Sequence, residues 1–208
     1  PLDDFQPIGA QRFPLLYQFR KQCSSLMAMD YMLGQGDYPL RGCIISGANP
    51  VLTNPNAAKV KRALKSLDLL VVKDLFATET ARLAHYVLPA CSHLEKWGIG
   101  YTYNVCHCLP YLMLRKKCIE PLNQSWSEWR FLTELARRLS LSESFPWKTE
   151  EEFVSFMVAP SGLSFDYLLN EKPQGDYYAE KKYSIPDGLF RTPSGKIEIY
   201  SNAIEKVG

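Results

Sequence analysis

The chain has 208 residues, 46% of them hydrophobic and 22% charged, with a formal net charge of +2. That balance fits a folded globular protein with a core of ordinary size, and so weak a net field gives no reason to expect nucleic acid or an anionic membrane as partner. No apolar run approaches the roughly 18 residues needed to span a bilayer, so direct membrane insertion is not expected. No signal peptide is visible, and the chain reads as soluble, cytoplasmic or periplasmic. Pro1 is not a natural start, and the true N-terminus is expected to lie outside this sequence.

Residues 1–14 are loop-like and interrupted by proline and glycine. From Leu15 to Leu33, Leu16, Phe19, Cys23, Leu26, Met27 and Tyr31 recur at helical spacing, and Gly34 with Gly36 ends the pattern. Met27, Met29 and Met32 read as core filler rather than as a ligand box. Short apolar runs and helical patterns then alternate. Cys43-Ile44-Ile45 stops at Ser46-Gly47, and Asn49-Pro50 opposes a simple continuation. Asn54-Pro55 supplies an N-cap and a first-turn proline for a helix bearing Ala57, Val60, Ala63, Leu64 and Leu67. Leu69 to Val72 is a second apolar run, closed by Lys73-Asp74. Thr78 to Ala81 opens a short helix, and Tyr86-Val87-Leu88 before Pro89 reads as a third strand. This alternation predicts an α/β fold, Rossmann-like, with three αβα layers and a mostly parallel sheet.

In such a sheet ligands sit beyond the carboxyl ends of the strands. Those ends carry Gly47-Ala48-Asn49-Pro50, Asp74 with Thr78-Glu79-Thr80, and Pro89 to Ser92. Asp74 is placed to accept from ribose hydroxyls, or to cap the short helix beyond it. Thr78 and Thr80 have the same two readings, ligand contact or helix cap. Asn49-Pro50 reads as a ligand contact or as a plain turn. The glycine-rich dinucleotide fingerprint is absent, which excludes an ordinary nicotinamide or flavin site.

After Glu95 the character changes. Trp97 to Asn104 is aromatic with two glycines, a loop or irregular hairpin, and Tyr111 to Ile119 is a candidate strand. Ser125 with Glu128 forms a capping box ahead of a helix from Trp126 to Leu139. Thr149 with Glu152 forms a second, and Ser164 caps a short helix through Leu169. Residues 171–189 read as a surface excursion or linker leading to a strand from Lys196 to Tyr200. On this reading residues 1–170 form the α/β domain, with its core at 40–140, and 171–208 are a linker and the start of a further, truncated domain.

Several of these stretches, in order, resemble one family. GANP from Gly47, LDLLVVKDLFATETARLAHYVLPA from Leu67, HLEKWG from His93, the helix from Trp126 and FRTPSGKIEIYS from Phe190 are similar to the third domain of molybdopterin-guanine-dinucleotide oxidoreductases, the dimethyl sulfoxide reductase family. The resemblance covers roughly residues 40–201. It implies a fragment of a catalytic subunit from anaerobic metabolism that helps bind a bis(molybdopterin guanine dinucleotide) cofactor carrying molybdenum or tungsten. Gly47, Asn49, Pro50, Asp74, Thr78, Thr80 and Asn104 are the implied cofactor contacts, and no residue here is assigned to catalysis or to the metal. A 4Fe-4S cluster is expected in the part of the enzyme before this chain. The implied partners are the remaining domains and an iron–sulfur electron-transfer subunit. Val105-Cys106-His107-Cys108 stands where the family carries Glu-Gly-Arg near the pterin. His85 stands where the family often has aspartate, and reads as a solvated helix end.

Six cysteines and three histidines leave one further reading. Cys106-His107-Cys108, with Cys91 and His93, is a possible zinc set, but Cys-x-Cys lacks the usual two-residue gap, and structural thiols are favoured. Beside the oxidoreductase fragment stand two alternatives: a stand-alone, non-catalytic nucleotide-binding module, and a small Cys/His metal-binding interaction domain.

Overall fold

A computed structural model describes residues 8–14, 17, 25–100, 109–180, 190, 192–201, 205 and 206. Its contacts divide the chain into two compact units, one of Pro1–Val87 with Ser184–Gly208 and one of Leu88–Tyr183. The expected domain at 1–170 spans parts of both.

The first unit begins, among the described residues, with helix α1 (Ser25–Met32). Gly34 ends it in the left-handed region at φ +75°. Its N–H bonds to Tyr31 O, and Gln35 N–H reaches back to Asp30 O at 2.8 Å, so two orphan carbonyls of the last turn are satisfied. Strand β1 (Gly42–Ser46) follows, then α2 (Pro50–Thr53), α3 (Ala57–Lys65), β2 (Leu69–Asp74), a 3-10 turn at Ala81–Leu83 and β3 (Tyr86–Pro89). The sheet order is β1-β2-β3, and β1 pairs with β2 in parallel, Gly42 opposite Leu69 through Ser46 opposite Lys73. Parallel neighbours need a crossover, which α2 and α3 supply.

That register sorts the side chains. Cys43, Ile45, Leu70 and Val72 share one face, and they pack with Met29, Met32, Val60, Ala63, Leu64 and Leu67 into the core of this unit. Ile44 and Leu69 fall on the other face and are exposed. Met29 and Met32 of α1 are core filler, as expected, whereas Met27 is half-buried and outside that cluster. Ser66, the residue that closes α3, donates its hydroxyl to Met32 O at 2.8 Å, and Lys59 pairs with Asp30, so α3 is tied to α1 at two points.

One detail differs from the sequence expectation. The proline at a helix start is Pro50, not Pro55: Asn49-Pro50 opens α2, and Asn54 N–H bonds to Pro50 O to close it. Helix α3 is capped by Asn56, whose side chain accepts from Lys59 N–H at 3.1 Å. Of the three asparagines in Asn49-Pro50…Asn54-Pro55-Asn56, Asn56 is the one whose side chain caps a helix, since Asn49 Oδ1 is committed to Thr80 and Asn54 closes α2.

The second unit is built on antiparallel strands. β4 (Gly98–Gly100) pairs with β5 (Tyr111–Arg115), which pairs with β6 (Asp176–Tyr177). Helices α4 (Glu128–Arg138), α5 (Glu150–Val158) and α6 (Phe165–Asn170) complete it. Leu112 and Leu114 of β5 pack against Val154, Val158 and Leu168 as a separate core. Helix α4 is capped by Ser127, whose hydroxyl accepts from Arg130 N–H, rather than by Ser125, which is turned to a buried carboxylate described below. Thr149 and Ser164 cap α5 and α6 as expected, accepting from Glu152 and Tyr167. Residues 192–201 contain turns and no strand at Lys196 to Tyr200. Ile199 there is fully exposed, so the alternation of that stretch finds no neighbour among the described residues.

The parallel register makes a direct prediction. Leu70 is 0% exposed and Leu69 43% exposed. Leu70→Ala is expected to destabilise by about 2–5 kcal/mol, and Leu69→Ala by less than about 0.5 kcal/mol, read as shifts in a chemical unfolding midpoint.

Candidate functional site

The carboxyl ends of β1 and β2 lie side by side, which brings together the loops after Ser46 and after Asp74. Gly47 follows β1 in the left-handed region at φ +61°, and its N–H donates to Lys73 O at 2.9 Å. A side chain would be strained there, although a Cβ would meet nothing within 4 Å. The turn therefore leaves open space beside its backbone.

Asn49 then joins the two loops. Its Oδ1 accepts from the Thr80 hydroxyl at 2.7 Å and from Thr80 N–H at 3.3 Å, and its Nδ2 donates to Glu79 Oε2 at 2.8 Å. The Thr80 hydroxyl in turn accepts from Val51 N–H at 3.2 Å, which satisfies a first-turn donor of α2. Thr80 is 0% exposed. The bond from Asn49 is the main reason the Glu79 carboxyl lies below the usual carboxylate range. Asn49 and Thr80 thus act together, as a frame.

The other named residues are engaged locally or left open. Pro50 is the first residue of α2. Thr78 accepts at its hydroxyl from Ala81 N–H at 3.1 Å, a cap for the 3-10 turn. Asp74 is half-buried, and its Oδ1 accepts from Phe76 N–H at 3.2 Å. No partner of Oδ2 occurs among the described residues. Asn104 and Cys106-His107-Cys108 lie outside the described residues. Cys91 is buried, Cys43 is half-buried with burial raising its thiol pKa, and Cys118 is exposed. Among the described residues no group of three His, Cys, Asp or Glu side chains is placed to hold a metal.

His85 is exposed just past the 3-10 turn at Ala81–Leu83, as expected, and it is also tied to β2. Its backbone N–H donates to Leu70 O at 2.9 Å, and its Nδ1 accepts from Leu70 N–H at 2.8 Å. The residue thereby serves both polar groups of a β2 position.

The second unit holds a buried carboxylate of its own. Glu95 is buried and accepts from Ser92 N–H at 2.7 Å, Leu122 N–H at 2.6 Å and the Ser125 hydroxyl at 3.1 Å. The Leu122 N–H, followed by Ser92, holds its pKa down at about 2. Lys96, beside it in sequence, pairs instead with Glu128. A tight turn at 92–95 with an acid accepting its first N–H is the local signal; the Leu122 contact has none. The same unit carries an open cleft of about 490 Å³, lined in part by Lys117, Ser127, Arg130, Lys148 and Glu150. Burial raises the Glu150 pKa, and Lys117 is already paired with Glu120. Its charges are mixed and partly spent, so the sheet edge of the first unit is the better candidate site.

Two outcomes follow from these bonds. Thr80→Val keeps the shape but strands the Val51 N–H and one Asn49 acceptor, and is expected to cost about 1–3 kcal/mol in unfolding experiments. For Glu95, a folded pKa of about 2 against an ordinary value of 4.5 means that its contribution is complete above pH 4.5 and is lost as pH falls toward 2. Glu95→Gln, which must set an amide N–H against one of these donors, should be less stable at neutral pH. Its melting temperature should then fall less steeply than that of the parent across the acid window.

The family model described as molybdopterin oxidoreductase matches residues 21–138. Acetylene hydratase of Syntrophotalea acetylenica is 32% identical over 181 residues, which cover 85% of this chain and 24% of that protein. The probable oxidoreductase YyaE of Bacillus subtilis (strain 168) is 30% identical over 197 residues, 94% of this chain and 29% of that protein. The solved structure of acetylene hydratase from Pelobacter acetylenicus superimposes with a TM-score of 0.70 at 29% identity, covering 88% of this chain and 25% of its own. The chain thus spans about a quarter of the length of the relatives it matches. With more than half of its residues inside the family model and its fold shared with a solved relative, this chain belongs to the molybdopterin oxidoreductase family.

Proposed function

We propose that this chain is part of a molybdenum- or tungsten-dependent enzyme, and that the carboxyl edge of its parallel sheet holds one guanosine arm of the pterin cofactor. The observation that carries the proposal is Asp74, a half-buried carboxylate at the end of β2 with only Oδ1 bonded among the described residues. It stands beside the open turn at Gly47. A hydroxyl or N–H of a nucleoside fits an acceptor so placed, and open backbone fits close approach of a ligand.

When bound, the cofactor supplies the redox or hydration chemistry at its metal. This chain's residues bind and orient. Asn49 and Thr80 hold the loops in register, Thr78 caps the turn that follows, and Asp74 accepts from the ligand. A single loop edge supplies only one wall, whereas small-ligand sites enclose most of the ligand. Each hydrogen bond left partly in water nets about 0.5–1.5 kcal/mol. The remaining domains of the enzyme are therefore the partners that complete the site. Among the described residues no helix is long and apolar enough to cross a membrane. One relative is named a hydratase and another a probable oxidoreductase, so family membership leaves the reaction and substrate open.

In the whole enzyme, Asp74→Asn is expected to weaken cofactor binding by about 1.5–3 kcal/mol. Molybdenum or tungsten content should drop while activity per bound metal is kept. Unchanged metal content with lost activity would give Asp74 a role other than holding the cofactor, and no change in either would leave it as the cap of its turn.

A further inference from the structure

Helix α5 and the chain leading into it carry a connected group of rings on the surface of the second unit. Phe153 and Phe156 lie three positions apart on α5, and so on one side of it. Phe153 is half-buried and packs on the core of the unit. The Trp147 ring centroid lies 5.0 Å from that of Phe153 and 4.8 Å from that of Phe156, and Phe145 meets Trp147 edge-on at 6.2 Å. The rings are thus anchored on the core before anything else meets them. Phe156 is nevertheless 58% exposed. Leu139 and Leu141, in the turn between α4 and Phe145, are 60% and 51% exposed. The acid one helical turn before Phe156, Glu152, is taken up by Lys148 N–H at 2.7 Å.

Single exposed apolar side chains are ordinary, but a rigid and connected group of them marks a contact surface. Anchored aromatic rings bury a large area at little cost in side-chain freedom, and permanent interfaces resemble a core cut in half. We infer that the cluster of Phe145, Trp147 and Phe156 is an internal contact of the whole enzyme, covered by an apolar surface from polypeptide outside this chain. The chain spans about a quarter of the length of its relatives, which leaves ample polypeptide to supply the cover. A partner met only in passing would leave the rings in water between encounters, whereas cover from the same polypeptide is permanent. This cover rests on the chain being one part of a larger enzyme, and is independent of which edge holds the cofactor.

The test is hydroxyl-radical footprinting of the whole enzyme, with oxidised peptides read by mass spectrometry. Trp147 and Phe156 should be oxidised roughly tenfold more slowly in the folded enzyme than after unfolding in urea, because the centre of a packed contact excludes water. That protection should survive dilution to single chains and removal of any other subunit. Rates close to those of the unfolded enzyme would leave the rings on a free surface and overturn the inference. Protection lost on dilution would assign the surface to a second copy, and protection lost with another subunit would assign it to that subunit; either also overturns it. Melting temperature gives a second reading. Phe156→Asp should melt well below the parent and Phe156→Leu close to it, since a covered position accepts another apolar group but not a charge. Equal melting of Phe156→Asp and the parent would count against any cover. Metal content of the same preparations separates this contact from the cofactor reading. Protected rings in an enzyme that never carries molybdenum or tungsten would leave the contact standing and the cofactor reading wrong, and exposed rings in fully loaded enzyme would do the reverse.

Discussion

The side chain of Asn49 bridges two loops that nothing in the local sequence joins. Two parallel strands cannot be closed by a hairpin, so the loops leaving their carboxyl ends are separated by a whole crossover and must be tied by other means. Asn49 supplies the tie with both halves of its amide, accepting from Thr80 and donating to Glu79. Thr80 passes the restraint on to the first turn of α2 through Val51 N–H. Because Thr80 is buried, the bonds it makes are sheltered from competing water and are correspondingly costly to lose, whereas the bond to Glu79 is exposed. The position of Asp74 beside the Gly47 turn depends on that frame.

The second unit solves a similar problem with a charge. Glu95 gathers N–H groups from Ser92 and Leu122 and the hydroxyl of Ser125, so one carboxylate holds two segments far apart in sequence. A buried carboxylate without partners would be protonated. Three donors keep this one ionised far below the usual range. Amide and carboxylate thus do the same work in the two units, with different responses to acid: the Asn49 frame does not titrate, and the Glu95 clamp does.

Frame and contact separate cleanly at the candidate site. Asn49 and Thr80, much engaged in internal bonds, position the edge, whereas Asp74 keeps an oxygen without a partner among the described residues. An edge with groups left for a ligand has reason to be rigid before one arrives, since ordering it on binding would subtract from affinity.

Much of this was legible in the residues themselves. Apolar runs at 43–45, 69–72 and 86–88 marked all three strands of the first sheet, because burial on a sheet demands short, continuous hydrophobic stretches bounded by turn formers. Thr149 and Ser164 were readable as caps, since capping acts within one turn of helix. Where two neighbours were chemically able to cap, only the tertiary structure chose: Ser127 over Ser125, because Glu95 claims Ser125, and Asn56 over Asn54 at the start of α3, because Asn54 closes α2. The segment at Lys196 to Tyr200 alternates like a strand yet forms none, since a strand needs a neighbour that its own sequence does not encode. The pairs of Asn49 with Thr80 and Glu95 with Leu122 join residues some thirty positions apart. Such distances are set by the register of parallel strands and the return of a loop, and no periodicity along the chain reports them.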